Sequence, residues 1–204
     1  RDWSSDVCSS DLNPSVVGQT VVYTATVAVT SPGSGTPTGY VEFFDGLTPI
    51  TECGGSSGTA LTGLSTACSV TYTSPGSHDI TATYLGDTNF LASSPSALVT
   101  QVVNKALTTT GLTTDLSTYV SGQTIVVTAM VAPVAPGAGT PTGTVSVSDG
   151  GSPAETCVIT LSSGNTCTIV ETTPGHYTLT GTYSGDANFL GSSGSAAAVV
   201  VSAD

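Results

Sequence analysis

The stretch VVGQTVVYTATVAV at residues 16–29 decides how the chain is divided, because it returns as VSGQTIVVTAMVAP at residues 120–133. Two further pairs of segments repeat in the same order, namely GTPTGYVEFFDG (35–46) with GTPTGTVSVSDG (139–150), and TSPGSHDITATYLGDTNFLASS (73–94) with TTPGHYTLTGTYSGDANFLGSS (172–193). Repetition at a fixed spacing indicates copies of one structural unit. The sequence therefore predicts two copies of a domain of about 100 residues.

Apolar and polar residues alternate within each copy at the spacing of a β-strand. In the first copy Val21, Tyr23 and Ala25 fall on one face, and Ile125 and Val127 repeat that face in the second. No window has the apolar spacing of a helix, and turn pairs such as DG, PG and GD separate the alternating segments. This pattern indicates half-buried antiparallel strands.

Seven strands, A to G, are predicted in the second copy. They span residues 111–118, 122–132, 143–148, 154–161, 166–172, 176–184 and 195–203. Seven short strands in about 100 residues is the pattern of an immunoglobulin-like (Ig-like) sandwich. We therefore predict an all-β fold of two tandem Ig-like β-sandwich domains.

The opening segment RDWSSDVCSSDL, residues 1–12, resembles no other part of the chain. It holds Trp3 and the unpaired Cys8, and it stands where the first copy should carry strand A. Its back-translation resembles a common sequencing-library adapter. We therefore predict that residues 1–12 are non-native, that the first repeat at 13–104 lacks most of strand A, and that the second repeat spans 105–204.

Four segments carry a family resemblance, which covers residues 13–204. They are NPSVVGQTVVYTATV, GTPTGYVEFFDG, YLGDTNF and VNKALTTTGLT, and they resemble the tandem bacterial Ig-like domain repeats of large surface and secreted proteins. The resemblance implies a piece of an extracellular or cell-surface stalk or adhesin. It also implies neighbouring Ig-like repeats in the same chain as partners, and no catalytic residues.

The charge distribution excludes several kinds of partner. The chain has a net charge of −12, and beyond residue 12 its only Lys or Arg is Lys105, so no basic patch exists to bind nucleic acid. No apolar run is long enough to insert into a membrane. The segment GGSSG at 54–58 matches a nucleophile pattern but lies in a loop of variable length. Since no acid–base pair recurs in both copies, we predict that the chain is not an enzyme.

Four of the five cysteines form matched pairs, Cys53 with Cys68 and Cys157 with Cys167. The second pair flanks an SSGN turn, where cross-strand neighbours lie close enough for a disulfide. We predict one disulfide per domain across the hairpin of strands D and E, in an oxidising compartment. A four-thiolate zinc site is the alternative, although neither pair has the two-residue spacing of such sites.

The motif Y-x-G-D-x-N-F occurs at 84–90 and 183–189. Its predicted role is structural, with a core-facing Tyr, a Gly-Asp turn and a Phe that closes the end of the sandwich. The residues concerned are Tyr84, Gly86, Asp87, Phe90, Tyr183, Gly185, Asp186 and Phe189. Ligand binding is the alternative: Asp45, Asp79 and Asp186 would meet at the joint between the domains and hold Ca²⁺. No other cofactor is expected.

Two functions remain for such a chain. The first is a non-catalytic structural spacer in the stalk of an extracellular or cell-surface protein. The second is a weak, multivalent adhesion module that binds glycan or matrix partners. Sugar binding calls for exposed aromatic rings, and only a few tyrosines, such as Tyr40 and Tyr119, are expected to face outward. This scarcity favours the spacer.

Overall fold

The computed structural model describes the backbone of residues 4–196 and 199–203, and within these ranges the side chains from Cys8 onward. The chain forms two compact units, Arg1–Asn104 (unit 1) and Lys105–Asp204 (unit 2). Each unit is a β-sandwich of two facing layers, as the alternating apolar residues predict.

Unit 1 contains nine strands and two short 3₁₀ turns among the described residues. They are β1 (Ser4–Ser10), β2 (Ser15–Val16), β3 (Thr20–Ala28), β4 (Tyr40–Asp45), β5 (Thr48–Pro49), η1 (Thr51–Cys53), η2 (Gly55–Ser57), β6 (Thr59–Ala60), β7 (Ser65–Thr71), β8 (Gly76–Tyr84) and β9 (Val99–Asn104). One sheet has the order β1-β3-β7, and the other has the order β2-β9-β8-β4-β5, with β6 also paired to β4.

Unit 2 repeats this plan with ten strands in the described part of the chain. They are β10 (Thr108–Thr114), β11 (Thr118–Val120), β12 (Thr124–Pro133), β13 (Thr144–Ser148), β14 (Thr156–Thr160), β15 (Thr166–Val170), β16 (Gly175–Tyr177), β17 (Thr180–Tyr183), β18 (Ser192–Ser195) and β19 (Val199–Ser202). One sheet has the order β10-β12-β15, and the facing layer consists of β14-β13-β17-β18 and β11-β19-β16.

The core of each unit is formed by the residues that the alternation places inward. In β3, Val21, Tyr23 and Val27 are at most 2% exposed, and in β12 Ile125 and Val127 are fully buried. Each strand thus presents one apolar face to the opposite sheet and a Thr-rich face to solvent. All seven strands predicted for unit 2 are present, although strand F is divided into β16 and β17 and strand G begins earlier, at β18.

The prediction that unit 1 lacks most of strand A is wrong. Residues Ser4–Ser10 form β1, which pairs antiparallel with β3 and completes the first sheet. Cys8 lies opposite Ala25 and is only 5% exposed, as Leu112 lies opposite Ala129 in unit 2. The register of this pairing shifts between Asp6 and Cys8, as at a β-bulge, which interrupts the regular alternation by which a strand is recognised in a sequence.

The predicted non-native origin of residues 1–12 is a separate matter. Strand pairing uses backbone groups that every residue except proline carries, so the pairing of β1 does not depend on where the segment comes from. Residues 1–3, including Trp3, lie outside the described residues. The non-native origin stays a prediction.

Candidate functional site

In each unit the second strand lies beside the last strand. In unit 1, β2 pairs parallel with β9, and in unit 2, β11 pairs parallel with β19. The chain therefore crosses to the facing layer after the first strand of the unit, and the short second strand runs beside the last one. This arrangement joins the two ends of each unit directly through backbone hydrogen bonds.

The repeated GQT segment ends this pairing with a tight turn. The amide of Gln123 donates to the carbonyl of Val120 (3.0 Å), and Gly122 has φ +81°, as a type II turn requires. The Gln123 side chain accepts from the Val120 amide (3.1 Å), and the Ser121 amide donates to the Ser202 carbonyl (2.9 Å). The repeated GQT segment thus ends the second strand and holds it to the last one through backbone hydrogen bonds.

The aspartate of the Y-x-G-D-x-N-F motif binds two loops together in both units. In unit 2, Asp186 Oδ2 accepts from the amide and the hydroxyl of Thr142 (both 2.7 Å). Its Oδ1 accepts from the amides of Asn188 and Phe189 (both 2.8 Å). Partial burial raises the pKa of Asp186, but these hydrogen bonds outweigh that effect and lower the pKa to about 2.

Asp87 of unit 1 makes the same four contacts. Its Oδ2 accepts from the amide and the hydroxyl of Thr38 (2.8 and 2.7 Å), and its Oδ1 accepts from the amides of Asn89 and Phe90 (2.7 and 2.8 Å). Tyr84 ends β8 in the core and donates to the Thr38 carbonyl (2.5 Å). In both repeats the charged residue of the motif therefore bonds to the backbone and threonine of neighbouring loops.

The repeated glycines and phenylalanines close the same end of each unit. A Cβ on Gly143 would lie 2.8 Å from the carbonyl oxygen of Gly185, so these two turns approach too closely for a side chain. Gly139 has φ +123°, and a Cβ on it would lie 3.1 Å from the ring of Phe189. The Phe189 side chain is only 2% exposed. Phe189 therefore packs beneath the loop between β12 and β13.

The segment that opens unit 2 is bound to these loops. The amide of Ala106 donates to the Asn188 carbonyl (3.0 Å), and the amide of Leu190 donates to the Ala106 carbonyl (2.9 Å). Ala106 is fully buried, and Lys105 Nζ donates to the backbone carbonyl of Asp186 (2.5 Å). The VNKA segment thus ends as an ordered part of unit 2, a contact that sequence reasoning did not predict.

The cysteines pair as Cys53–Cys68 and Cys157–Cys167, with Cα–Cα distances of 5.4 and 6.0 Å. The predicted hairpin geometry is wrong, because β14 pairs with β13 and β15 pairs with β12, in the opposite sheet. In unit 2 the disulfide therefore links the two sheets, and in unit 1 it links the turn η1 to β7 of the first sheet. Since all four thiols are oxidised, they provide no thiolate ligands for zinc.

Cys8 is the free cysteine, and it is buried. Burial raises the pKa of its thiol to about 11. At neutral pH it is therefore a protonated, unreactive thiol that fills space in the core.

The three aspartates predicted to hold calcium each have partners within their own unit. Asp45 Oδ2 lies 2.6 Å from Nδ1 of His78, and Asp79 accepts from the hydroxyl of Thr100 (3.1 Å). Asp186 accepts the four hydrogen bonds given above. Within either unit, the described Asp, Glu, His and Cys residues form no cluster of three that would hold a metal ion. Calcium shared between Asp45, Asp79 and Asp186 concerns both units together and stays a prediction.

The pair of Asp45 and His78 was not predicted from the sequence. The His78 ring also lies against Tyr72, with ring centroids 4.0 Å apart, and the Tyr72 hydroxyl bonds to that of Tyr23 (2.8 Å). Unit 2 has Asp149, Tyr177 and Glu171 at the positions of Asp45, His78 and Tyr72. The histidine pair is therefore not a repeated feature.

A family model described as bacterial Ig-like domain (group 3) matches residues 8–104 and 112–202. The chain belongs to this family. The two matches start at equivalent positions of the two units, Cys8 and Leu112, and together cover most of the chain. A comparison with curated protein sequences gives no match.

Several solved structures resemble this bacterial Ig-like chain. The D00-D0 domain of intimin is 16% identical, with a TM-score of 0.35, and the match covers 96% of this chain and 100% of that one. The Yersinia pseudotuberculosis adhesin InvE is 17% identical (TM-score 0.34; 91% and 56% covered). The ectodomain of mouse nectin-like molecule 4 is 13% identical (TM-score 0.35; 98% and 65% covered). The chain thus spans less than two thirds of the length of the last two.

Among the described residues there is no helix with the length and apolarity that a membrane crossing requires.

Proposed function

We propose that the chain is a non-catalytic, load-bearing spacer in an extracellular or cell-surface protein, where neighbouring Ig-like repeats are its partners. The observation that carries this proposal is the parallel pairing of the second and last strands of each unit, β2 with β9 and β11 with β19. Tension applied through the chain ends pulls such neighbours in opposite directions along their length. Their hydrogen bonds are then loaded together in shear, which resists extension better than opening one bond at a time.

The disulfides and loop contacts support the same proposal. Each disulfide closes a loop within its unit, so a stretched unit cannot extend the residues between its cysteines. The repeated motif uses its only charged side chain, Asp87 or Asp186, to bind loops within its own unit. The parts that the two repeats share therefore stabilise the fold.

The adhesion module is the second proposal, with a glycan or protein surface as partner. Of the tyrosines expected to face outward, Tyr40 is 51% exposed, but Tyr119 is only 3% exposed and donates to Asp115 (2.7 Å). The expected outward position of Tyr119 is therefore wrong, and its ring is not available for stacking on a sugar. Reproducible binding of residues 13–204 to a glycan array would favour adhesion over the spacer.

The substitution Ser121→Pro tests the spacer proposal at its central contact. Ser121 is the second residue of a type II turn, where proline is favoured, so we expect the variant to fold. Proline removes the amide that donates to Ser202 and so weakens the pairing of β11 with β19. Force-ramp pulling of single molecules should show unit 2 unfolding at lower force while unit 1 is unchanged.

Ser121→Ala is the matched control. It keeps the amide but removes the hydroxyl that donates to the Thr172 carbonyl (2.6 Å), so the unfolding force of unit 2 should stay close to that of the unchanged chain. Circular dichroism checks that both variants fold. If the folded Ser121→Pro variant unfolds at the same force as the control, the parallel pair does not bear the load and the proposal is wrong.

A further inference from the structure

The two disulfides differ in their exposure to solvent. In unit 1, Cys53 and Cys68 are only 4% and 2% exposed. In unit 2, Cys157 and Cys167 are both half-buried. A disulfide is reduced when a thiolate attacks one of its sulfur atoms, so the rate of reduction depends on access to those atoms. The difference in burial therefore predicts that thiols react differently with the two units.

The position of the cysteines in unit 2 explains their exposure. Cys157 lies on β14 and Cys167 on β15, and each of these strands is the last one of its sheet. No described strand pairs with the outer edge of either, so the disulfide joins the two sheets at an open side of the sandwich. The residues that flank each cysteine along the chain are exposed, and Val158 is 61% exposed. A small thiol can thus approach this disulfide while both sheets stay paired.

A longer segment encloses the disulfide of unit 1. Its cysteines are 15 residues apart along the chain, whereas those of unit 2 are 10 apart. Cys53 ends η1, and η2 and β6 follow before the chain returns to β7. The Cys53 amide donates to the Ile50 carbonyl (3.1 Å), and the Thr59 hydroxyl donates to the Cys53 carbonyl (2.9 Å). Cys53 is therefore held inside a folded segment that must open before a thiol reaches it.

We propose that Cys157–Cys167 is an exchangeable disulfide, which external thiols reduce in the folded protein while Cys53–Cys68 stays closed. An external thiolate attacks one sulfur atom and expels the other cysteine as a thiolate, which leaves a mixed disulfide. A second external thiolate attacks the external sulfur of this mixed disulfide and releases the remaining cysteine. Two external thiols are thereby oxidised to one disulfide, and their two protons go to the two cysteines.

Reduction leaves the strand pairing of unit 2 in place. β14 remains paired with β13, and β15 with β12, through five residues each. Ile159 and Ile169, which are 1% and 3% exposed, still hold these strands in the core. The unit therefore stays folded, but the residues between its cysteines are no longer closed into a loop. This reaction is independent of the spacer function, because it requires no load on the chain.

Timed reduction of the folded full chain by dithiothreitol, stopped by alkylation with iodoacetamide, tests the proposal. Trypsin cuts only after Lys and Arg, and the chain has only Arg1 and Lys105, so digestion after denaturation places the two disulfides in separate fragments for mass spectrometry. We expect the cysteines of the unit 2 disulfide to be alkylated at least about tenfold faster than those of unit 1. A sample without dithiothreitol accounts for Cys8, which lies in the unit 1 fragment.

The control is the same reaction in a strong denaturant, where both disulfides are exposed and should be reduced at similar rates. In the folded chain, the rate for unit 2 should be proportional to the dithiothreitol concentration and unaffected by low concentrations of denaturant. Similar rates for the two units in the folded chain, or no reduction of unit 2 there, would overturn the proposal. A rate for unit 2 that rises steeply with low denaturant would also overturn it, since reduction would then require unfolding. Because no force is applied, these outcomes do not bear on the spacer proposal.

Discussion

At the scale of single residues, the two units differ by paired changes in the core. Leu112 on β10 faces Gly181 on β17, whose added Cβ would lie 3.0–3.1 Å from three atoms of the leucine side chain. The equivalent positions in unit 1 carry Cys8 and Ala82. A larger residue on one strand is thus matched by a smaller one on the other, as close packing of a core demands.

Gly181→Ala should destabilise unit 2 by about 1 kcal/mol, because its methyl group overlaps Leu112 in a filled core. Adding Leu112→Cys should recover most of this loss by reproducing the pair found in unit 1. Chemical denaturation of the two single variants and the double variant gives the coupling free energy. Strictly additive effects would show that the two side chains do not compete for the same space.

Asp186→Asn should destabilise unit 2 in a pH-dependent manner. The hydrogen bonds hold the pKa of Asp186 at about 2 in the folded state, below the ordinary value of about 3.9. Its charge therefore stabilises the fold fully above that ordinary value, and the stabilisation is lost as the pH falls toward 2.

The measurement is the stability of unit 2 in both chains by amide hydrogen exchange between pH 2 and 7. The difference between them should be largest at neutral pH and should close as the pH approaches 2. Unit 1 provides the internal control, because Asp87 is unchanged there. A difference that is the same at every pH would contradict the assigned role of the Asp186 charge.

At the scale of strands and turns, the sequence predicts features that depend on the local alternation of apolar and polar residues. It misses features that depend on which strands pair with each other. The alternation in 122–132 and 143–148 locates β12 and β13 closely, because a half-buried strand must alternate. The spacing of Cys157 and Cys167 suggests a hairpin, yet their strands belong to different sheets. Spacing along the chain brings two cysteines close but does not determine which sheet each strand joins.

The N-terminal strand illustrates the same limit. The backbone groups along the edge of β3 that faces away from β7 need hydrogen-bond partners, and residues Ser4–Ser10 provide them. Among the described side chains of this strand, only Cys8 is apolar and buried. Side-chain patterning gives no sign of a strand held mainly by backbone hydrogen bonds. Glu171 could not be predicted as buried either, because an acid at the end of a strand ordinarily faces solvent.

At the scale of the whole molecule, repetition is the feature that the sequence conveys best. The repeated segments give two domains, and the family match and the two compact units agree in number and order. Differences between the copies are equally informative, since the Asp45–His78 pair of unit 1 is replaced by Asp149 and Tyr177 in unit 2. The shared residues hold the fold, and any specialised chemistry lies in the unshared ones.

The most direct test of the spacer account is to stretch the unchanged chain by its ends under oxidising and then reducing conditions. We predict two separate, all-or-none unfolding events, one for each unit. Reduction should increase the extension released on unfolding by roughly 50 Å for unit 1 and roughly 35 Å for unit 2. The disulfides span 15 and 10 residues, and each extended residue adds about 3.5 Å. Smooth extension at low force, or increments that do not change on reduction, would contradict the account.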